Sequence, residues 1–329
     1  MSSLYLTYRG IPVLSLIIFV FLFTISCQNN SPGSGDDPEI MAEIDSSFHA
    51  MNPMDLHFDS FEQTMIDSGM ADLIDAYREI RAYGLPNSTP PAIQFNPLPY
   101  GFQLPPPNPK IEWEIPRGIS KPTWEADLAF MSIPELASLI RSGEISCLAL
   151  TEFFLNRLRK YDPRLHCVVT LTEDYAIEQA KKMDAELAGG KDRGILHGIP
   201  FGAKDLFAFP GYPTTWGAMA YKDQVLDETA GIIKKLEEAG AILVAKTTLG
   251  ALAMGDVWFA DTTRNPWNLE EGSSGSSAGS ASATAAGLIP FAIGTETWGS
   301  IVSPSTRCGT TGLRPTYGRV TRSGAMALS

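Results

Sequence analysis

The sequence predicts an α/β domain in which helices cover a mostly buried β-sheet. The chain has 329 residues, of which 44% are apolar, so it can bury an enzyme-sized core. From about residue 121 onwards, segments with helical periodicity alternate with short apolar runs that are typical of strands. Capping residues and glycines delimit the helices at regular intervals. An alternating order of this kind is typical of α/β folds.

Residues 1–26 are predicted to be a signal peptide rather than part of the fold. Arg9 precedes an apolar run over 11–25, which at about 15 residues is too short to span a bilayer comfortably. The segment ends at Cys27 and resembles a bacterial lipoprotein signal peptide. This implies lipidation of Cys27 and an exported protein that is anchored to a membrane and faces the periplasm or the cell exterior. Thr24 stands where such signals usually carry leucine, and an ordinary cleaved signal or a single-span anchor are the alternatives.

Residues 28–120 are predicted to form a tether and a proline-rich arm. Apolar residues at near-helical spacing predict one helix over about 61–83. Eleven of the 24 prolines fall between positions 86 and 122, a composition that favours extended polyproline conformation over packed structure. We interpret this segment as an arm that wraps the globular domain or links it to the anchor.

The globular domain is predicted to span residues 121–329. Ser132 and Glu135 form a capping box that begins its first helix. Ser146 caps a second helix, which is expected to end near residue 161, ahead of Pro163. The further predicted elements are a strand at 167–171, a helix at 173–187, a helix at 229–238, a strand at 241–245, helix-forming residues at 281–286 and a buried strand at 288–293.

Charge and residue spacing exclude several classes of function. The net charge of −12 makes the chain a poor candidate for binding nucleic-acid phosphates. The four histidines lack the spacings that place two imidazoles on one helix face, so neither a metal nor another cofactor is predicted. Apart from Cys27, the cysteines show no C-x-x-C spacing, and we expect buried free thiols at Cys147, Cys167 and Cys308.

The segment from Gly275 to Ser300 carries the motifs with the clearest chemistry. It begins with G-S-S-A-G-S, and a second turn, G-T-E-T-W-G-S, ends 24 positions after Ser276. Lys204 lies upstream in I-P-F-G-A-K-D. Two serines and a lysine can perform acyl transfer without histidine. A flexible linker is the common source of such composition, but here helix-forming and strand-like sequence flanks it.

These motifs resemble those of the amidase signature family, from about residue 125 to Ser329. The matching blocks are H-G-I-P-F-G-A-K-D at 197–205, N-P-W-N at 265–268, G-S-S-A-G-S at 275–280, G-T-E-T-W-G-S-I at 294–301 and R-C-G-T-T-G-L-R-P-T-Y-G-R-V at 307–320. The resemblance implies an α/β domain around a large mixed sheet with helices on both faces. It also implies that the C-terminal part of the domain is missing here, and that this fragment alone is unstable or inactive.

The resemblance further implies a Ser-cisSer-Lys triad that cleaves carboxamides. Carried over by position, Ser300 is the nucleophile that forms an acyl-enzyme and Lys204 is the base. Ser276 is the bridging serine, preceded by a cis peptide bond. Ser273 is the alternative for that role, but it lies 27 rather than 24 positions before Ser300, and the interval of 24 fits the family.

The chemistry of this set can be argued without the family. A serine hydroxyl is a weak nucleophile that needs a positioned base, and Lys204 can be that base only when it is neutral. Burial lowers the pKa of a lysine, whereas the carboxylate of Asp205 would oppose this if it pointed inward. The Ser276 hydroxyl is both donor and acceptor, so it can relay a proton between the other two groups.

The turn before the nucleophile is expected to form an oxyanion hole from the backbone N–H groups of Thr297, Trp298 and Gly299. Three residues depart from the family's usual pattern. Trp298 replaces a glycine, Val302 replaces an arginine, and Glu296 stands where aspartate is commoner. These changes leave the triad intact but put the analogy to any particular amidase substrate in doubt.

The predicted function is hydrolysis of the C–N bond of a small-molecule or peptide amide. Two alternatives stay open: a component like the amidase-type subunit of a glutamine-dependent tRNA amidotransferase, and a non-catalytic lipoprotein that keeps the amidase fold for binding. The predicted export signal argues against the first, because charged tRNA and ATP are cytoplasmic. The presence of Lys204, Ser276 and Ser300 argues against the second.

Overall fold

The computed structural model describes residues 59–84, 89, 98, 101–103 and 113–327. The chain divides into two compact units, Met1–Tyr83 and Gly84–Ser329. The predicted signal peptide, the lipidation site Cys27 and most of the proline-rich arm lie outside the described residues. Within the part that is described, no helix has both the length and the apolar character needed to cross a bilayer.

The described part of the first unit is a single helix, α1 (Ser60–Ala82). The Asp59 carboxylate accepts hydrogen bonds from the backbone N–H groups of Phe61 and Glu62, each at 2.8 Å. The Glu62 carboxylate accepts the Asp59 N–H at 2.9 Å in return. This capping box satisfies N–H groups that have no partner within the helix. The sequence places this helix at about 61–83, one residue further along the chain.

The described part of the second unit alternates helices and strands. The helices are α2 (Glu125–Leu128), α3 (Ile133–Ser142), α4 (Cys147–Leu165), α5 (Glu173–Ala188), α6 (Gly231–Glu238), α7 (Ala278–Ala285) and α8 (Val302–Cys308). The strands are β1 (Val168–Leu171), β2 (Pro200–Lys204), β3 (Ile242–Thr247), β4 (Arg264–Asn265), β5 (Asn268–Gly272) and β6 (Ala292–Ile293). Short 3₁₀ segments lie at Met219–Tyr221 and Ala251–Ala253.

Four of these strands form a mixed sheet in the order β1-β3-β2-β6. β1 runs antiparallel to β3, whereas β2 is parallel to both of its neighbours. β4 and β5 pair separately as an antiparallel hairpin. The two central strands, β2 and β3, are buried along their whole length. Their register places Lys204, the last residue of β2, beside Thr247.

Helices pack on both faces of the sheet. Ile242 and Val244 of β3 belong to a core cluster to which α3, α4, α5 and α7 contribute. Leu243, between them, belongs to a second cluster with Phe201 of β2 and Ile233 of α6. Successive residues of a strand point to opposite faces, so β3 is covered on both sides. The predicted α/β architecture, a mixed sheet with helices on both faces, is confirmed.

The second helix of the domain is longer than the sequence predicts. α4 continues through Pro163 to Leu165, although proline removes one intrahelical hydrogen bond. The carboxylate of Asp162, just before this proline, accepts the N–H groups of Cys167 at 2.7 Å and Val168 at 2.9 Å. These bonds stabilise the turn beyond the helix and offset the bond that Pro163 cannot make.

The strand predicted at 288–293 is shorter than expected. Only Ala292–Ile293 pairs with β2, although Leu288 and Ile289 are buried in the core as the apolar pattern indicates. Pro290 interrupts this run, and proline has no N–H to donate to a strand ladder. The apolar pattern therefore predicted the burial of Leu288 and Ile289 correctly, but residues 290–293 are only partly buried and the strand is shorter than predicted.

Candidate active site

Lys204 ends the buried strand β2, and its side chain is completely buried. Its ammonium nitrogen lies 2.8 Å from the Oγ of Ser276, to which it donates a hydrogen bond. It also donates to the hydroxyl of Thr295 at 2.9 Å and to the Thr295 carbonyl oxygen at 3.3 Å. Two of the three residues predicted to form the triad, Lys204 and Ser276, are therefore in direct contact.

Ser276 lies in the loop that leads into α7, and the Gly275–Ser276 peptide bond is cis. This loop packs closely on the loop around Gly255. A Cβ added to Gly275 would lie 1.9 Å from the carbonyl oxygen of Gly255, a distance that no side chain tolerates. Asp256 holds the same loop, because its carboxylate accepts the Ser274 N–H at 2.8 Å. The backbone that leads into Ser276 is thus held by the loop at Gly255 and Asp256.

Burial shifts the acid–base chemistry of the lysine. Desolvation lowers the pKa of Lys204 to about 7, while the negative charge of Glu296 acts in the opposite direction. A substantial fraction of the amine is therefore unprotonated near neutral pH. In that form it can accept a proton from the Ser276 hydroxyl, which an ammonium group cannot do.

The carboxylate of Asp205 does not oppose this shift, because it is directed to other partners. It forms an ion pair with Lys246 at 2.6 Å, and both side chains are completely buried. It also accepts the backbone N–H of Thr215 at 2.7 Å and the Thr215 hydroxyl at 2.5 Å. The sequence alone left open whether this carboxylate points toward Lys204. Its charge is instead balanced by a second buried lysine that sequence reasoning missed.

Ser300 lies in the turn between β6 and α8 and is partly exposed. Its carbonyl oxygen accepts the backbone N–H of Ser277 at 2.9 Å, so the two serine motifs are joined directly through the backbone. Within the described part of the chain, the hydrogen bonds of Lys204 go to Ser276 and Thr295 and not to the Ser300 hydroxyl. Ser300 thus lies next to the pair without completing a hydrogen-bonded chain.

The three predicted oxyanion donors differ in whether their N–H groups already have a hydrogen-bond partner. Thr297 and Trp298 are exposed, and in the described residues their N–H groups donate to no protein acceptor. The Gly299 N–H instead contributes a hydrogen bond to the Glu296 carboxylate. The Trp298 side chain is 92% exposed. Two N–H groups in the turn before Ser300 are therefore without a partner among the described residues.

Ser273, the alternative bridging serine, has a different environment. It is fully buried, and its hydroxyl donates to the carbonyl oxygen of Ser274 at 2.8 Å. Lys204 donates its hydrogen bond to the hydroxyl of Ser276 instead. The geometry therefore favours Ser276 over Ser273 as the residue that can exchange a proton with Lys204.

Thr295 is a site residue that sequence reasoning missed. Besides its two contacts with Lys204, its carbonyl oxygen accepts the Ser277 hydroxyl at 3.1 Å, and its N–H donates to the same hydroxyl oxygen at 3.2 Å. Thr295 thus ties the lysine to the serine loop. Its position inside the G-T-E-T-W-G-S motif was the available signal, but only the fold reveals its partners.

Other residues considered in the sequence have structural partners. The buried His197 accepts the Arg193 N–H at its Nδ1, and its Nε2 lies 3.0 Å from the Met183 carbonyl oxygen. Three thiols, Cys147, Cys167 and Cys308, are buried and unpaired. In the described ranges, no group of three or more His, Cys, Asp or Glu side chains is arranged to hold a metal ion.

The sequence of this chain matches a protein family model and several curated proteins. A family model described as "Amidase" matches residues 149–329. The A subunit of glutamyl-tRNA(Gln) amidotransferase from Coxiella burnetii (strain RSA 493 / Nine Mile phase I) is 42% identical over 201 residues, which cover 60% of this chain and 41% of that protein. Its counterpart from Marinomonas sp. (strain MWYL1) is 43% identical over 199 residues. The chain thus spans about two fifths of the length of these curated relatives.

The structure of this chain also matches solved structures of amide-hydrolysing enzymes. Native peptide amidase from Stenotrophomonas maltophilia matches with a TM-score of 0.58 and 36% identity, covering 61% of this chain and 43% of that one. A structure described as fatty acid amide hydrolase matches with a TM-score of 0.59 and 28% identity, covering 63% of this chain and 37% of that one. The range matched by the family model, residues 149–329, contains the lysine and both serine motifs.

Proposed function

Because this chain belongs to the amidase family, we propose that the protein hydrolyses the C–N bond of a carboxamide through an acyl-enzyme on Ser300. The observation that carries the proposal is the 2.8 Å contact between the buried Lys204 amine and the Ser276 hydroxyl. This contact pairs an amine that can be neutral near pH 7 with a hydroxyl that can pass on a proton. The substrate would be a small-molecule or peptide amide.

In the first half of the reaction, the Ser300 hydroxyl attacks the amide carbon. Its proton moves to Ser276, whose own proton moves to the neutral Lys204, so the base ends as an ammonium group. The carbonyl oxygen becomes negatively charged in the tetrahedral intermediate. The N–H groups of Thr297 and Trp298, in the turn just before Ser300, would donate hydrogen bonds to this charge.

In the second half, the intermediate collapses and the C–N bond breaks. Lys204 returns a proton through Ser276 to the departing nitrogen, which leaves as a neutral amine or ammonia. The acyl group is then an ester of Ser300. Water attacks this ester with the same proton chain acting as base, and release of the carboxylic acid restores the free hydroxyl. No metal or cofactor is required for these steps.

A fluorophosphonate probe tests this proposal on the full-length protein. We expect covalent labelling of Ser300, its loss in Ser300→Ala, and a labelling rate lower by at least about 100-fold in Lys204→Met and Ser276→Ala. Ser303→Ala is the matched control, because this serine lies in α8 and its hydroxyl pairs with that of Ser274. A folded protein that the probe does not label would contradict the proposal and favour a non-catalytic binding role.

The pH dependence of labelling gives an independent check. Since the neutral amine is the active form and its pKa is lowered to about 7, the labelling rate should rise through about pH 7 and then level off. A rate that rises only near the ordinary lysine pKa of about 10.4 would show that Lys204 is not the base.

A second candidate function is that of an amidase-type component of a tRNA amidotransferase, favoured by the 42% identity to such proteins. This would make glutamine the amide donor and would require partner proteins. The discriminating experiment is glutamine hydrolysis by the purified protein. Turnover that depends on ATP and on a partner protein would support the second candidate. Turnover of peptide or aryl amides by the protein alone would support the first.

We also propose that the protein is an exported lipoprotein anchored through Cys27. Support comes from the sequence alone, where the short apolar run over 11–25 precedes this cysteine. Growth with a labelled fatty acid should label the wild-type protein but not Cys27→Ser, and the variant should leave the membrane fraction. Wild-type protein that takes up no fatty acid and remains in the cytosol would contradict this proposal and remove the main argument against the amidotransferase role.

A further inference from the structure

Glu296 lies four residues before Ser300, and each oxygen of its carboxylate has a partner. Its Oε2 accepts the backbone N–H groups of Ile301 at 2.7 Å and Val302 at 2.9 Å, directly after the proposed nucleophile. Its Oε1 lies 3.1 Å from the Nε of Arg314. The Glu296 side chain is only 6% exposed, whereas the arginine is 53% exposed. One carboxylate thus joins the backbone of the Ser300 turn to a cation at the surface.

Glu296 stays ionised in this environment. Burial alone would raise the pKa of its carboxyl, but hydrogen bonds from the backbone of Val302, Ile301 and Gly299, together with the charge of Arg314, lower it below its usual value. The group therefore carries a negative charge wherever Lys204 titrates. In the described residues, the ionisable groups around Lys204 are Asp205, which Lys246 neutralises, and Glu296, which Arg314 partly neutralises.

We propose that Glu296 and Arg314 form a positioning pair for the reaction: Glu296 fixes the backbone that carries Ser300, and Arg314 screens the charge of Glu296 from Lys204. This inference rests on the proposed function. The Arg314 end of this pair is exposed, where solvent screening limits its contribution to folding stability, so the effect of Arg314 should be visible mainly in acid–base behaviour. The two residues should also have opposite effects, which a purely structural pair would not have.

The direction in which each substitution shifts the pKa of Lys204 follows from the charge that it removes. Glu296→Gln keeps an oxygen that can accept both backbone N–H groups but removes the negative charge that favours the lysine ammonium form. The rise of labelling rate with pH should then move to lower pH, by roughly half a unit or more. Arg314→Met leaves Glu296 unscreened, which favours the ammonium form. The rise should therefore move to higher pH by a similar amount, while Arg314→Lys should stay close to wild type.

The positioning part is tested by Glu296→Ala, which removes the acceptor as well. We expect the plateau labelling rate above about pH 9 to fall by about ten- to a hundred-fold, because the Ser300 hydroxyl is no longer held in one place. The amide of Glu296→Gln should retain most of this plateau. Arg307→Met is the matched control for the arginine, since Arg307 is also 53% exposed and pairs with Glu271 at 3.1 Å. It should leave the profile unchanged.

The experiment measures fluorophosphonate labelling of Ser300 against pH in the full-length protein and its variants, with circular dichroism to verify folding. Opposite shifts in Glu296→Gln and Arg314→Met, with no shift in Arg307→Met, would support the inference. Labelled wild type combined with unshifted profiles in both variants would overturn it while leaving the amidase proposal intact. If wild type is not labelled, the amidase proposal fails, and this inference fails with it.

Discussion

At Lys204, the burial that produces a neutral base also destabilises the folded protein. The pKa of this amine falls from 10.5 to about 7 on folding, so between these values the unfolded chain binds a proton that the folded chain does not. Stability must therefore rise with pH across this window and be lowest below it. A shift of this size corresponds to a cost of roughly 4 kcal/mol at neutral pH.

Lys204→Met tests this cost, because it keeps an unbranched side chain and removes the titration. The substitution loses the bonds to Ser276 and Thr295 at every pH, so the informative quantity is the change with pH. We expect the free energy of unfolding of the variant, relative to wild type, to fall by roughly 3–5 kcal/mol between about pH 7 and pH 10.5. Urea unfolding at both pH values measures it. A constant difference would mean that Lys204 keeps an ordinary pKa in the folded protein.

Individual site residues were predictable where a motif marks them. Lys204 and Ser276 lie in sequence blocks with a chemical rationale, and the fold brings them into contact. Thr295 was harder to assign, because its partner Lys204 lies 91 positions away and a hydroxyl has no distinctive local pattern. Such roles arise from tertiary placement, so composition and spacing do not reveal them.

Between elements, the buried Asp205–Lys246 pair joins the end of β2 to β3 and to the loop at Thr215. Removing one partner of a buried pair leaves the other charge without compensation, which typically costs about 3–5 kcal/mol. We therefore expect Asp205→Asn to lower the free energy of unfolding by that amount, as measured by urea denaturation. The double variant Asp205→Asn/Lys246→Met should lose less, because no uncompensated charge remains.

The exposed pair between Arg307 and Glu271 provides the comparison for this prediction. Its side chains are 53% and 47% exposed, and such pairs contribute at most about 1 kcal/mol. Glu271→Gln should therefore have little effect on the same denaturation curve. If Asp205→Asn were equally mild, the buried charge of Lys246 would have to be compensated by groups other than Asp205.

The positions of the helices were predicted better than those of the strands, for physical reasons. The start of α3 was placed correctly because its capping box is a local signal, and α1 was placed within a residue of its ends from its apolar periodicity. β2 was missed as a strand because Pro200 and Gly202 disturb its apolar pattern. A Cβ added to Gly202 would lie 2.7 Å from the side chain of Ile289, so any larger residue there would force that side chain to shift.

At the scale of the whole molecule, the order of strands could not be read from the sequence. β1 pairs with β3 across more than 70 residues, and β6 joins the opposite edge of β2. Long-range pairing of this kind depends on how the covering helices pack, as in the two clusters on either face of the sheet. The alternation of helices and strands predicts the fold class, but it does not predict the strand order β1-β3-β2-β6.

In the described ranges, the hydrophobic core of the second unit is formed by side chains of that unit. Both hydrophobic clusters consist of side chains between Ile119 and Ala325, and in the described ranges none comes from the first unit. Each described contact of Lys204 and Ser276 likewise lies within the second unit. We predict that the site and its core do not require the residues that precede Gly84.

Deleting residues 1–83 from the full-length protein tests this independence. Because no described core side chain is lost, we expect the melting temperature of the deletion variant to stay within about 2 °C of wild type. The rate at which a fluorophosphonate labels Ser300 should be unchanged. Differential scanning calorimetry and labelling kinetics measure the two quantities, with both proteins in the same detergent solution. A lower melting temperature together with slower labelling would show that α1 or the segment before it supports the active site directly.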